Sequence, residues 1–362
     1  MPSPSTTRRA LTGLGLGARR FLELAATPLL PADYLDLINP MRAGADLRGR
    51  VLAVDHETPT STTVTIRPGK GWRGHRPGQY TRIGVDVNGV RHWRAYSITS
   101  LPGDVITISA RAIEDGVVSN HLLTHLEPGT MIMLDQATGD FTLPANRPAP
   151  EKALFVTGGS GITPVMGILR SHLHEFRDVT VVHSAPDREQ MMFLPELQEF
   201  HNAGCITLHT RFTRTEGILP VDQIATLVPD WAERETWACG PTGLLDDAEA
   251  HWAAAGLEHQ LHTERFRPRV VAAGEGGEVT FATSEETVEA PAGIPILDVG
   301  EAAGVLLPSG CRMGICFNCV VPLAEGSVRD LRTGELTSVD PEDPQLIQTC
   351  ISAAAGPCTI TS

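Results

Sequence analysis

The sequence predicts a multidomain chain: a small antiparallel β-barrel, a doubly wound α/β domain with a parallel sheet, and a compact terminal module built around a cysteine loop. Three observations predict it. Short β-branched runs punctuated by Gly and Pro turns fill residues 46–147. Strand-like and helix-like stretches alternate over 150–268. Five of the seven cysteines fall after residue 310, inside a segment spanning 276–362.

The chain has 362 residues, too many for one typical core, and 41% of them are hydrophobic, as in ordinary globular proteins. The formal net charge is −14, and no basic stripe offsets it, which excludes a general nucleic-acid binder. Residues 275–362 carry thirteen Asp/Glu against three Arg, so −10 of that charge sits in the last module. Such a surface suits either a basic docking partner or simple solubility. An odd, clustered set of cysteines argues for a metal or cluster site in a reducing cytoplasm rather than a disulfide framework. No run of 18 apolar residues could span a membrane.

Residues 1–45 read as a helical extension. Leu14, Ala18, Phe21, Leu22 and Ala25 follow helical spacing until Pro28 and Pro31. Arg8-Arg9 faintly resembles a twin-arginine signal, but Gly13, Gly15, Gly17 and Arg19-Arg20 interrupt the apolar stretch, so the segment is read as retained. Its basic residues allow docking or peripheral membrane contact, but the three glycines weaken a free-standing helix, so packing on the next domain is preferred.

The barrel is expected from runs at 49–54, 62–66, 80–87, 93–98, 105–111 and 131–134, with Asn88-Gly89 as a hairpin turn. The α/β domain is expected from strands at 153–157, 179–183, 206–212 and 236–238, and helices near 163–175, 190–203, 220–227 and 243–255. Residues 269–275 read as a linker. In the terminal module, Cys311, Cys316 and Cys319 give C-x4-C-x2-C, and Cys350 follows. This is the plant-type 2Fe-2S ligand spacing, with Gly310 and Gly314 bringing backbone N–H groups to the sulfurs. A structural zinc site would pair two C-x2-C knuckles, and there is one. Cys205 and Cys358 are expected to be ordinary buried thiols.

Arg94-Ala95-Tyr96-Ser97 ends a barrel strand, and Gly116-Val117-Val118-Ser119-Asn120 opens a helix soon after. The chemistry suits a dinucleotide flavin: Arg94 pairs with phosphates, Tyr96 covers the ring, the Ser97 hydroxyl reaches a ring nitrogen, and the helix start with Ser119 holds the pyrophosphate. Gly158, Gly159 and Gly161, followed by Thr163, sit at a strand-to-helix turn where a second pyrophosphate can lie on a helix N-terminus. Cys239-Gly240-Pro241 closes a later strand. Arg188, Thr213 and Arg214 are candidates for a 2′-phosphate, so NADPH is expected, with NADH as the alternative.

Together and in this order, these segments resemble the ferredoxin–NADP reductase superfamily, with a plant-type 2Fe-2S ferredoxin domain of β-grasp fold at the C-terminus. Pro77-Gly78-Gln79-Tyr80, Gly116 to Asn120 and Gly139-Asp140-Phe141 resemble the reductase half of flavohaemoglobins. That resemblance implies FAD, while a branch similar to phthalate dioxygenase reductase implies FMN. It also places Cys239 near the hydride path, makes Glu264 a proton relay, and puts Phe266 at the flavin edge. The implied activity moves electrons from NAD(P)H through flavin and cluster. The acceptor would be an oxygenase, hydroxylase or acyl desaturase, since the domain order resembles reductases of phenylacetyl-CoA epoxidase, hybrid-cluster protein and actinobacterial desaturases. A pure electron carrier or a redox sensor is the alternative.

Overall fold

The computed structural model describes residues 35, 36, 38–42, 44–87, 89–114, 116–144, 148–266, 270, 273 and 275–361. The expected helix and membrane contact of the extension, Asn88 of the hairpin, and most of the expected linker lie outside them. Among the described residues, no helix is long and apolar enough to cross a membrane.

Six strands form the first sheet: β1 (Arg48–Thr58), β2 (Ser61–Pro68), β3 (Tyr80–Val87), β4 (Val90–Ser97), β5 (Ile106–Arg111) and β6 (Met131–Leu134). Their order is β4-β3-β6-β1-β2-β5. Just past β4, Ile98 bridges to Ile108 of β5, so the two edge strands meet and the sheet closes. Alternation along the strands turns Val64, Ile66, Ile83, Ile106 and Ile108 inward, all essentially fully buried. Helix α1 (Val117–Thr124) adds Val118 and Leu122 to the same core.

The second sheet has the order β11-β10-β7-β8-β9. It contains β7 (Lys152–Gly158), β8 (Asp178–Ala185), β9 (Thr207–Phe212), β10 (Glu235–Cys239) and β11 (Leu261–Glu264). β7, β8 and β9 run parallel. Buried Ala153 to Val156 form the continuous apolar run expected of a strand covered on both faces. Helices α2 (Ile162–His172), α3 (Leu194–Asn202) and α4 (Thr242–Ala254) flank it. α3 starts later than expected because Phe193 takes a left-handed conformation at φ 59° and breaks the helix there. The expected helix at 220–227 is a 3₁₀ turn followed by one helical turn, and strand β11 is additional.

The terminal module holds β12 (Gly277–Phe281), β13 (Glu286–Ala290), helix α5 (Ile296–Ala302), β14 (Val320–Asp330), β15 (Leu336–Val339), β16 (Gln345–Gln348) and β17 (Ser352–Ile360). β12 pairs β13 antiparallel and β17 parallel, and β14 pairs β15, β16 and β17 antiparallel. Ile296, Leu297 and Val299 bury the inner face of α5. Cys358 is buried as expected, but Cys205 is exposed, because it lies in the turn that follows α3 rather than in a strand.

By packing, the chain divides into two compact units. Among the described residues, those up to 91, 96–219 and 224–237 form one, and those at 92–95, 220–223 and from 238 on form the other.

Candidate functional site

In the first unit, β4 delivers Tyr96 half-buried against the barrel core and Ser97 almost fully buried. The Ser97 hydroxyl has no hydrogen-bond partner within the described chain. A buried hydroxyl left in that state needs a ligand or water, so the strand end fits a flavin ring edge. α1 begins at Gly116 with no side-chain cap and no acid in its first turn, leaving its first N–H groups for an anion. Ser119 Oγ is tied back instead: it accepts from Ile113 N at 3.4 Å and donates to Gly116 O at 3.3 Å. Asn120 Nδ2 donates to Ile113 O and Gly116 O, both at 2.9 Å. These two side chains shape the loop, and Val118 is a core residue. A Cβ at Gly116 would stand 2.6 Å from Ile113 Cγ1, so a side chain there would have to push Ile113 aside.

β7 runs into Gly158, a 3₁₀ turn over Gly159–Gly161, and then α2. Gly159 has φ 57°. Thr163 Oγ1 closes the turn on Ser160 O at 2.9 Å. No acid and no side-chain cap occupy the helix start, which fits a nucleotide pyrophosphate.

Arg111, which sequence reasoning missed, lies over this loop, its Nη1 3.2 Å from where a Gly159 Cβ would be. It donates to Gln190 Oε1 at 3.5 Å, and Gln190 donates to Asp187 Oδ2 at 2.7 Å. Arg214 ion-pairs with that same carboxylate oxygen. Arg111, Gln190, Asp187 and Arg214 thus make one polar chain. Thr213 Oγ1 donates to Ala185 O at 3.4 Å, and Arg188 is exposed. The one signal for Arg111 was a lone cation at a strand end shortly before Gly116.

In the second unit, Arg94 donates to Trp93 O at 2.8 Å. β10 ends in Cys239, fully buried, and Gly240-Pro241 leads into α4. Burial, and secondarily the Glu264 charge, pushes the Cys239 thiol well above its usual range. Glu264, the last residue of β11, encloses an Oε2 that has no partner. Burial pushes its carboxyl up to about 8, so at pH 7 it carries a proton. Phe266 is 42% exposed.

The cysteine loop presents two sulfur pairs. Cys311 N donates to Cys316 Sγ at 3.2 Å, and Cys319 and Cys350 sulfurs lie 3.2 Å apart. The thiol of Cys316 and then backbone N–H groups hold Cys311 down to about 5; Cys350 does the same for Cys319, at about 6. Among the described residues, no three His, Cys, Asp or Glu side chains converge as a single-ion site. Two pairs of thiols suit two irons better than one zinc.

Gly314, at φ 73°, allows Arg332 and Ile351 to close over the loop; a Cβ would lie 2.7 Å from Arg332 Nη1. Gly314 O accepts from Arg332 and Gln348. Arg312 pairs with Asp298 at 2.6 Å and with Glu301, both on α5. Cys316 is the one partly exposed ligand candidate, and Ile315 and Phe317 beside it are 52% and 66% exposed.

Three family models match the chain. An oxidoreductase FAD-binding domain covers residues 70–143, an oxidoreductase NAD-binding domain 155–250, and a 2Fe-2S iron-sulfur cluster binding domain 279–355. A protein of Mycobacterium tuberculosis named NADPH oxidoreductase is 46% identical over 353 residues, 94% of this chain and 91% of that one. A component of the 1,2-phenylacetyl-CoA epoxidase of Escherichia coli is 26% identical, over 77% of this chain and 86% of its own. The solved structure of phthalate dioxygenase reductase superposes with a TM-score of 0.59 at 20% identity, covering 87% of this chain and 97% of that one.

Proposed function

The chain belongs to the ferredoxin–NADP reductase family with a C-terminal 2Fe-2S domain, and on that premise we propose how its own residues carry electrons from NADPH to an oxygenase-type acceptor. With nicotinamide, FAD and cluster bound, the chain takes electrons in as a hydride and releases them singly. The observation that carries the reading is the joining, on one chain, of an unpartnered buried Ser97 hydroxyl on the flavin strand with four paired thiols on the terminal module.

Arg94 and the N–H groups at the start of α1 hold the flavin phosphates. Tyr96 would cover the flavin ring, and the unpartnered Ser97 hydroxyl would hydrogen-bond its edge. Gly158, Gly159, Gly161 and the first turn of α2, with Thr163 closing the turn and Arg111 above it, hold the nicotinamide pyrophosphate. Cys239, with Gly240 and Pro241, excludes water at the hydride path. Glu264, protonated at neutral pH, would supply the accompanying proton, and Phe266 would cover the flavin edge. Arg214, Thr213 and Arg188 grip a 2′-phosphate, which favours NADPH over NADH. Cys311, Cys316, Cys319 and Cys350 are the cluster ligands, and Cys316, the partly exposed one, faces the acceptor.

The acceptor is proposed to be a diiron hydroxylase or acyl desaturase in the cytoplasm, approached through the acidic terminal module. Residues 1–45 are proposed to add contact with a membrane surface, checked by liposome flotation with and without them. The main test is anaerobic titration with NADPH followed by absorbance. Bleaching of both flavin and cluster bands supports the reading. Chromophores unmoved by NADPH and NADH would leave an electron carrier or sensor instead.

A further inference from the structure

The helix that opens on the nucleotide loop is seated on the strand that ends at Ser97. Gly167 and Arg170 are three residues apart on α2 and so share a face. At Gly167 a Cβ would stand 2.6 Å from Ile98 O and 3.3 Å from Gly78 N. The helix backbone therefore rests directly on the backbone that follows β4, and any side chain would lift it. One turn on, Arg170 Nη1 donates to Thr99 O at 2.7 Å. The rest of the guanidinium grips Glu196 of α3 in a two-pronged pair, at 2.8 and 2.5 Å.

A second layer braces this grip. The Arg170 guanidinium lies 5.1 Å from the ring centroid of Phe193. Phe193 reaches that position from a left-handed backbone, unusual for a bulky residue. Its N–H donates to Glu57 of β1, and Glu57 Oε2 accepts from Thr63 Oγ1 at 3.3 Å. Two segments far apart in sequence, at Thr99 and at 193–196, thus converge on one side chain, and a third, at Glu57, holds the second of them. A partly buried ion pair adds little net stability compared with apolar packing, but an Arg fork on a carboxylate is directional. What the arrangement supplies is geometry.

We propose that Arg170, with Gly167 as its pivot, is a positioning residue for hydride transfer. It sets the height and angle at which α2 presents the nucleotide loop to the flavin strand. The proposal rests on the reading that Gly158 to Gly161 hold the nucleotide and that Tyr96 and Ser97 meet the flavin. Nothing in the Arg170 network touches either ligand in that reading. Its effect comes through the rigid helix, and transfer between two bound rings is steeply sensitive to their separation.

The test uses the full-length holoprotein and three variants, Arg170→Met, Arg170→Lys and Glu196→Gln. Flavin and cluster content, thermal midpoint, NADP⁺ affinity and the stopped-flow rate of flavin reduction by NADPH are measured, with the nicotinamide–flavin charge-transfer band as a spectroscopic signature. Expected are native cofactor content, NADP⁺ affinity within about threefold, and a weakened charge-transfer band. The reduction rate should fall about 10²-fold for Met and about tenfold for Gln, with Lys in between.

Delivery of electrons from dithionite-reduced protein to cytochrome c should stay at the wild-type rate. A reduction rate within about twofold of wild type, with only the thermal midpoint lowered, overturns the proposal and leaves a structural brace. If Arg170→Met does not fold, Glu196→Gln decides by the same criterion. Failure of the wild-type protein to be reduced by either nucleotide would sink the underlying reading instead, a result separable from any variant's.

Discussion

The nucleotide loop and the cluster loop solve the same problem in different ways. Each places a left-handed glycine beneath an arginine: Gly159 at φ 57° under Arg111, and Gly314 at φ 73° under Arg332. On the assignments proposed above, each would bring backbone N–H groups toward a negative ligand. In the nucleotide loop, only glycine takes the left-handed conformation, and the helix behind it is fully formed and buried along its first two turns. In the cluster loop, Arg312 and Phe317 are left-handed as well, at φ 61° and 58°, each disfavoured for a side chain with a Cβ. A site whose ligand comes and goes needs a cradle that stands without it. A site with a permanent ligand can hold a disfavoured backbone, because ligand bonds become part of the folding free energy.

The comparison breaks most visibly at the cluster. Cys319→Ser should abolish the cluster absorption and lower NADPH-driven cytochrome c reduction about 10²-fold or more, while NADPH still bleaches the flavin. Persistent cytochrome c reduction at the native rate would mean that electrons leave from the flavin and that the cysteine loop is not on the path.

Paired glycine variants sharpen it next. Gly314→Ala sets a Cβ against Arg332 and Ile351 and should leave only a minor fraction of cluster bound, measured as iron per chain. Gly159→Ala meets only the flexible tip of Arg111. It carries about 1–2 kcal/mol of left-handed strain, which should raise the NADPH KM about tenfold and leave cluster content native. Equal iron loss in both variants would erase the distinction between the loops.

Arg214→Ala should raise the NADPH KM about fivefold and leave the NADH KM unchanged, read from steady-state kinetics at low salt. An equal change for both nucleotides would remove Arg214 from any role at a 2′-phosphate.

The smallest effect concerns Glu264. Its folded pKa, about 8, lies above the ordinary carboxyl value of 4.5. The folded protein therefore binds an extra proton between those values, and stability declines as pH rises from 4.5 to 8. Glu264→Gln should raise the thermal midpoint by a few degrees at pH 8 and not at pH 4. The same substitution should flatten a decline in flavin reduction as pH passes 8.

What the sequence made legible was local. Cys311, Cys316 and Cys319 lie within nine residues, so ligand chemistry alone constrains their spacing. The apolar run from Ala153 to Val156 and the glycines after it announce a buried strand and a phosphate turn. Less visible were features decided by tertiary packing. Strand β11 is four residues long and carries no periodic signal. The break before α3 depends on Phe193 meeting Arg170 and Glu57, far from it in sequence. Ser119, read as a phosphate ligand, is committed to Ile113 and Gly116. Cys205 was expected in a core because free cysteines usually are, and a turn exposed it.

The pairing of β12 with β17 also constrains how the protein comes into being. Val279 and Cys358 are direct neighbours in a parallel ladder, although almost the whole module separates them in sequence. Such a contact closes a long loop and forms slowly. Cys350 stands in the turn that leads into β17, so the fourth thiol reaches its place only as the sheet's centre assembles. Iron and sulfide would therefore be received by a nearly finished module, and a ribosome-bound chain lacking β17 would present at most three ordered thiols to the machinery that loads it.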